Sequence, residues 1–111
     1  MAGKPQPIVD LALAVRDFIS ALDTAIEETP KKLYIAYKIT QNLACMELRE
    51  QAVTLYLKLS PKELPSLPPI ARDVTSIGHY GTGDLEITVG SDKDIETANP
   101  LIEAAYRRVG G

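Results

Sequence analysis

Residues 33–39 read Leu-Tyr-Ile-Ala-Tyr-Lys-Ile, and larger apolar side chains occupy every second position. In an extended chain the residues on one side would be Leu33, Ile35, Tyr37 and Ile39, and those on the other Tyr34, Ala36 and Lys38. A period of two indicates a β-strand with one face toward a core. This segment therefore marks the start of a sheet.

Further strands follow this segment along the chain. Segments 43–48 and 53–59 are predicted strands, and the short polar link Arg49-Glu50-Gln51 makes a hairpin the economical connection. Residues 60–70 contain four prolines, which cannot donate ladder hydrogen bonds, so we predict a surface loop there. Residues 74–77 are a candidate short strand, and 84–89 a clearer one after a flexible glycine-containing turn.

A helix is predicted on each side of these strands. From Ile8 to Ile26 apolar residues recur every three or four positions, and Thr29-Pro30 stops the helix. Ser91 is a candidate N-cap for a second helix that ends at Gly110. We expect Pro100 either to kink that helix or to divide it, with Asn99 as a new cap.

Clustered strands between terminal helices predict an α+β fold, with an antiparallel sheet of four to five strands and both helices on one face. We expect a single domain over residues 1–111, with residues 8–109 as its core. The other sheet face should be partly exposed to water. It would carry Tyr34, Lys38, Tyr56, Lys58, Glu86 and Thr88.

Composition narrows the class of protein. The chain is 45% hydrophobic and 24% charged, which is typical of globular proteins, and its net charge of −3 gives no overall attraction to nucleic acid or anionic lipid. Its one cysteine, Cys45, cannot form an intramolecular disulfide, and no apolar run is long enough to span a membrane. We therefore expect a cytoplasmic protein without membrane contact.

The densest polar segment runs from Ala71 to Asp84 and contains the only histidine. His79 is a candidate general base, which Asp73 or Asp84 would orient in a small hydrolase or lyase. A lone histidine in a hairpin is more often structural. The glycines at 78–83 precede a strand and not a helix, so a hairpin explains them better than a phosphate-binding loop.

No cofactor is indicated, and no metal site is expected, because Cys45 and His79 lack the spacing of metal ligands. The exposed sheet face is a second candidate site. Its tyrosines and lysines, Tyr34, Tyr56, Lys38 and Lys58, would suit single-stranded nucleic acid, although tyrosines are also common on half-exposed strands. The same face would equally suit a homodimer interface.

Several segments resemble an uncharacterised bacterial and archaeal family, catalogued as a domain of unknown function. They are 32–38, 55–59, 71–74, 77–86 and 99–106. Members of that family often lie C-terminal to predicted nuclease or restriction-type domains, and some carry the loose label of predicted transport protein. The resemblance implies an accessory module in a nuclease-linked or defence-like protein, and it implies no catalytic residues.

Our leading expectation is a recognition module without enzymatic activity, which holds nucleic acid, a small ligand or a partner protein. The predicted ligand-binding residues are Arg72, Asp73, His79, Tyr80, Asp84, Tyr37, Lys38 and Lys58. The hydrolase or lyase and the homodimerisation domain are the alternatives.

Overall fold

The computed structural model describes residues 3–77 and 83–110, in which two helices flank six strands along the chain. The elements are α1 (Gln6–Leu22), β1 (Glu27–Pro30), β2 (Ile35–Lys38), β3 (Asn42–Leu48), β4 (Val53–Leu57), β5 (Ala71–Asp73), β6 (Leu85–Val89) and α2 (Asp92–Val109). The predicted α+β class is confirmed, with one strand more than the upper expectation.

The strands form one sheet in the order β1-β2-β3-β4-β6-β5, and every neighbouring pair is antiparallel. Both helices pack on the same face. Fully buried side chains there include Val15 and Ile19 of α1, Ile102 of α2, and Leu55, Leu57 and Ile87 of the central strands. Burial of this apolar surface is the main stabilising contribution to the fold.

The first helix is shorter than predicted, because it ends at Leu22 and not at Ile26. Asp23 has an extended backbone, and its carboxylate accepts a 2.8 Å hydrogen bond from the Ala25 N–H, which closes a turn. Ile26 still reaches the core from this non-helical segment. Residues 27–30 then form β1, an edge strand whose four residues are all exposed, so no alternation of apolar side chains marked it.

The strand predicted at 33–39 is shorter in the structure. Ile35, Tyr37 and Ile39 face the helices as expected, but Leu33 lies in the β1–β2 hairpin and is 48% exposed. The β3–β4 hairpin is confirmed, and the Arg49 N–H donates to the Ala52 carbonyl at 2.9 Å across its turn.

The strand predicted at 74–77 was wrong. Pairing with β6 uses residues 71–73 instead, and the chain then turns, with the Ile77 N–H donating to the Val74 carbonyl. Short, exposed edge strands have little hydrophobic pattern to reveal their position.

The second helix begins at the predicted N-cap, where the Ser91 hydroxyl accepts a hydrogen bond from the Asp94 N–H at 3.3 Å. It continues through Pro100, so the predicted restart at Asn99 was wrong. Pro100 is exposed. Water can therefore reach this side of the helix, where proline removes one backbone hydrogen bond. The helix ends at Gly110 as predicted.

Candidate functional site on the uncovered sheet face

The sheet face opposite the two helices, here called the outer face, carries two rows of side chains across neighbouring strands. One row runs Cys45, Tyr56, Glu86 and Arg72, and the other runs Glu47, Thr54 and Thr88. Directly paired residues in antiparallel strands have Cβ atoms about 5 Å apart. The two rows therefore lie side by side on the outer face across β3, β4, β6 and β5.

Arg49 folds back over this surface from the end of β3. Its Nε donates to Thr54 Oγ1 at 2.9 Å, and its Nη2 donates to the Tyr56 hydroxyl at 3.3 Å. Nη2 also lies 3.5 Å from Glu47 Oε2. These contacts fix the orientation of the guanidinium plane, although the side chain remains 51% exposed. Burial raises the pKa of Tyr56, so its hydroxyl stays neutral.

Arg72 lies across the outer face from Arg49. Its Nη2 donates to Glu86 Oε2 at 3.1 Å, with side-chain exposures of 60% for Arg72 and 15% for Glu86. Between the two arginines is an open depression of about 530 Å³. Its lining consists of Arg49, Ala52, Thr54, Pro69, Ile70, Ala71, Arg72, Glu86 and Thr88.

Both guanidinium groups keep donors for a ligand. A guanidinium carries five N–H donors. Among contacts within the described residues, Arg49 uses Nε and Nη2, and Arg72 uses only Nη2. The depression can therefore present two guanidinium groups, each beside a glutamate and each with donors left for a ligand, next to Thr54 and Thr88.

The middle of the outer face is closed by apolar packing. Ala36, Cys45, Tyr56 and Val74 form a buried cluster, with exposures between 0% and 4%, and Tyr34 packs against it. Val74 comes from the turn after β5. The start of the polar segment 71–84 therefore packs on the outer face. Tyr56, which was predicted to be partly exposed, is buried.

A family model described as "Domain of unknown function (DUF5655)" matches residues 1–108. The chain belongs to the DUF5655 family. It is 33% identical over 107 residues to a Haemophilus influenzae protein titled "Uncharacterized protein". That match covers 96% of this chain but only 35% of the relative, so the chain spans about a third of the relative's length. No solved structure matches the chain.

The predicted site residues of this DUF5655 domain are divided between different places. Arg72 lines the depression, and Lys38 lines another one at the opposite end of the outer face. Lys58 is exposed beyond β4 and lines neither. Tyr37 is fully buried on the helix-covered face, where its hydroxyl donates to Glu28 at 2.9 Å.

Only some of the catalytic candidates lie among the described residues. Asp73 accepts hydrogen bonds from the Thr75 hydroxyl and N–H at 2.6 and 2.9 Å, which lower its pKa and hold the turn after β5. Asp84 is exposed before β6. His79 and Tyr80 lie outside the described residues, so the proposed pairing of His79 with either aspartate stays a prediction.

Arg49 and Thr54 line the depression but were not among the predicted site residues, because Arg49 was assigned to a turn. Glu47 and Arg49 lie two positions apart, and Thr54 pairs directly with Glu47, so these three residues share one face of the hairpin. Residues 3–77 and 83–110 contain no group of three or more metal-ligating side chains. None of the helices seen there has the length and apolar character needed to cross a bilayer.

Proposed function

We propose that this domain is a recognition module, not an enzyme, and that it binds a small anionic ligand in the depression between Arg49 and Arg72. The observation that supports this is the placement of two oriented guanidinium groups on either side of one polar floor. Arginine is well suited to carboxylates and phosphates because its planar fork can donate two parallel hydrogen bonds.

The rest of the lining narrows the ligand chemistry. Glu86 can accept a hydrogen bond from a ligand N–H or O–H, and the exposed Thr88 hydroxyl can donate or accept, while the Thr54 oxygen already accepts from Arg49. A molecule with a carboxylate or phosphate next to a donor group, such as an amino acid or a nucleotide, matches this pattern. The volume of about 530 Å³ falls within the usual range of small-molecule sites.

The proposed context is a larger cytoplasmic protein. The Haemophilus influenzae relative is about three times as long as the matched region, which leaves room for further domains in that protein. A nuclease-linked context is what the family resemblance of the sequence segments implies, and it supports this part of the proposal. We place this module in such a nuclease-linked or defence-like protein, where ligand binding would report to a neighbouring domain.

Nuclear magnetic resonance titration of the full chain tests the ligand class. Inorganic phosphate, mononucleotides, dicarboxylates and free amino acids would each be added while the amide signals of Thr54 and Thr88 are followed. Binding should shift these two signals before those of α1 or α2. Shifts confined to the helices, or none at millimolar ligand, would contradict the proposal.

Arginine variants test the site itself. Arg72→Gln should weaken binding about tenfold or more, because a charged hydrogen bond contributes roughly 1.5–3 kcal/mol. Arg107→Gln is the matched control, since Arg107 is an exposed arginine on α2 paired with Glu103. Equal affinities for the two variants would place the ligand elsewhere.

A further inference from the structure

The β1–β2 hairpin presents a compact basic tip at the other end of the sheet. Its loop reads Lys31-Lys32-Leu33-Tyr34, and the Lys31 N–H donates to the Tyr34 carbonyl at 2.8 Å. The strands on either side pair from Pro30 with Ile35 onward. This hydrogen bond and pairing hold the four loop residues in a defined arrangement.

Positive charge is concentrated around this tip although the whole chain carries −3. Lys31 and Lys32 are joined by Lys4 on one side and Lys38 on the other. Of these four lysines, only Lys4 forms an ion pair with another described residue, at 3.1 Å from Glu50. The tip therefore offers three ammonium groups that form no ion pair within 4 Å among the described residues, and Glu27 is the carboxylate that lies beside Lys38 in the β1–β2 register.

Tyr34 separates two depressions within this basic region. One has a volume of about 200 Å³ and is lined by Lys4, Lys31, Lys32, Leu33, Tyr34, Ile35, Met46 and Leu48. The other, of about 380 Å³, is lined by Glu27, Thr29, Lys31, Tyr34, Ala36, Lys38 and Asn42. The tyrosine packs against the outer-face apolar cluster on one side and remains partly exposed. Tyr34 is thus supported by the cluster and partly exposed where the two depressions meet.

We propose that this surface, residues 31–34 with Lys38, binds single-stranded nucleic acid. A base would stack on the Tyr34 ring, and the adjacent phosphates would contact Lys31, Lys32 and Lys38. Supported aromatic rings flanked by lysines are how sequence-tolerant proteins hold unpaired strands, because every base has a face that stacks and every linkage carries a negative charge. This surface is separate from the Arg49–Arg72 depression, and neither site requires the other.

Fluorescence anisotropy with labelled twelve-nucleotide oligothymidylate and a matched RNA tests this inference at several salt concentrations. The wild-type chain should bind more weakly as salt rises. Lys31→Gln combined with Lys32→Gln should flatten that salt dependence by about 0.7 in log–log slope per lost contact. Lys93→Gln combined with Arg107→Gln, which removes two exposed cations from α2, is the charge-matched control and should bind like the wild type.

Two tyrosine variants separate stacking from charge. Tyr34→Phe keeps the ring and should retain binding, whereas Tyr34→Leu should weaken it about fivefold or more. Thermal melting of each variant shows whether it is folded. Arg72→Gln should leave oligonucleotide binding unchanged. Failure of the nucleic-acid proposal can therefore be distinguished from failure of the small-ligand proposal.

Three outcomes would overturn the inference. They are no oligonucleotide binding at low salt, equal binding by wild type and the Lys31/Lys32 variant, and preference for vesicles containing anionic phosphatidylserine over oligonucleotide. The last would assign the exposed Leu33 and the lysines to a lipid surface instead.

Discussion

The Tyr106 hydroxyl donates a 2.7 Å hydrogen bond to the carboxylate of Asp23, which lies 83 positions earlier in the chain. Asp23 directly follows α1 and also accepts from the Ala25 N–H, while Tyr106 is in the last turn of α2. One carboxylate therefore closes the turn that leads into β1 and links the ends of the two helices. Both hydrogen bonds lower the pKa of Asp23.

Replacing Tyr106 by phenylalanine should destabilise the fold, because the variant keeps the ring but removes the hydrogen bond to Asp23. The expected result is a lower urea midpoint with an unchanged denaturant slope, followed by circular dichroism. Tyr34→Phe is the matched control, since the Tyr34 hydroxyl makes no hydrogen bond within the described residues. An equal loss of stability in both variants would show that the Asp23 contact contributes nothing.

The same contact predicts how stability depends on pH. The Ala25 N–H, and then the Tyr106 hydroxyl, lower the pKa of Asp23 below its ordinary value of 3.8. A lowered pKa in the folded state means that this stabilisation is complete above about pH 4 and is lost as pH falls through the lowered value. The difference in unfolding free energy between wild type and Tyr106→Phe should thus be constant near neutrality and shrink in strong acid. A difference that grew on acidification would contradict this assignment.

The period-two segments predicted the central strands because their buried positions alternate. In β4 and β6 the residues that face the helices are those the pattern selected, including Leu55, Leu57 and Ile87. The edge strands left no such pattern. All four residues of β1 are exposed, and β5 has three residues with two exposed, so only their backbone pairing defines them.

The candidate site was harder to predict than the fold for a related reason. Arg72 was among the predicted residues because of its place in a polar segment, whereas Arg49, which lines the same depression, folds back from a turn over β4. That path depends on side-chain conformation and not on strand parity alone. Tyr37 was also among the predicted residues, although its alternation with Ile35 and Ile39 placed it on the core side, where it is fully buried.

A residue larger than glycine at position 83 would collide with the backbone of the neighbouring strand β4. Its φ is +129°, and an added Cβ would lie 2.7–2.9 Å from backbone atoms of Leu57 in β4. That strand is paired on both sides and cannot easily move. Gly83→Ala should therefore lower the unfolding free energy by about 2 kcal/mol or more, through backbone strain and displacement.

Gly90→Ala is the control for this prediction. Gly90 has an ordinary φ, and an added Cβ would find its nearest neighbour at 3.7 Å, which is normal contact. Its urea midpoint should stay close to that of the wild type. Similar losses at both positions would show that the close approach of Gly83 to Leu57 is not what limits substitution.

Tyr37 provides a test that separates structural from ligand-binding tyrosines. It is fully buried, its hydroxyl donates to Glu28, and both burial and that hydrogen bond raise its pKa. Tyr37→Phe should cost about 1 kcal/mol of stability, since Glu28 is partly exposed and can be hydrated when the bond is lost. The variant should bind anionic ligands and oligonucleotides with wild-type affinity in the assays described above. A weakened affinity without loss of stability would instead show that Tyr37 contributes to ligand binding. The helix-covered face would then have to open to expose it.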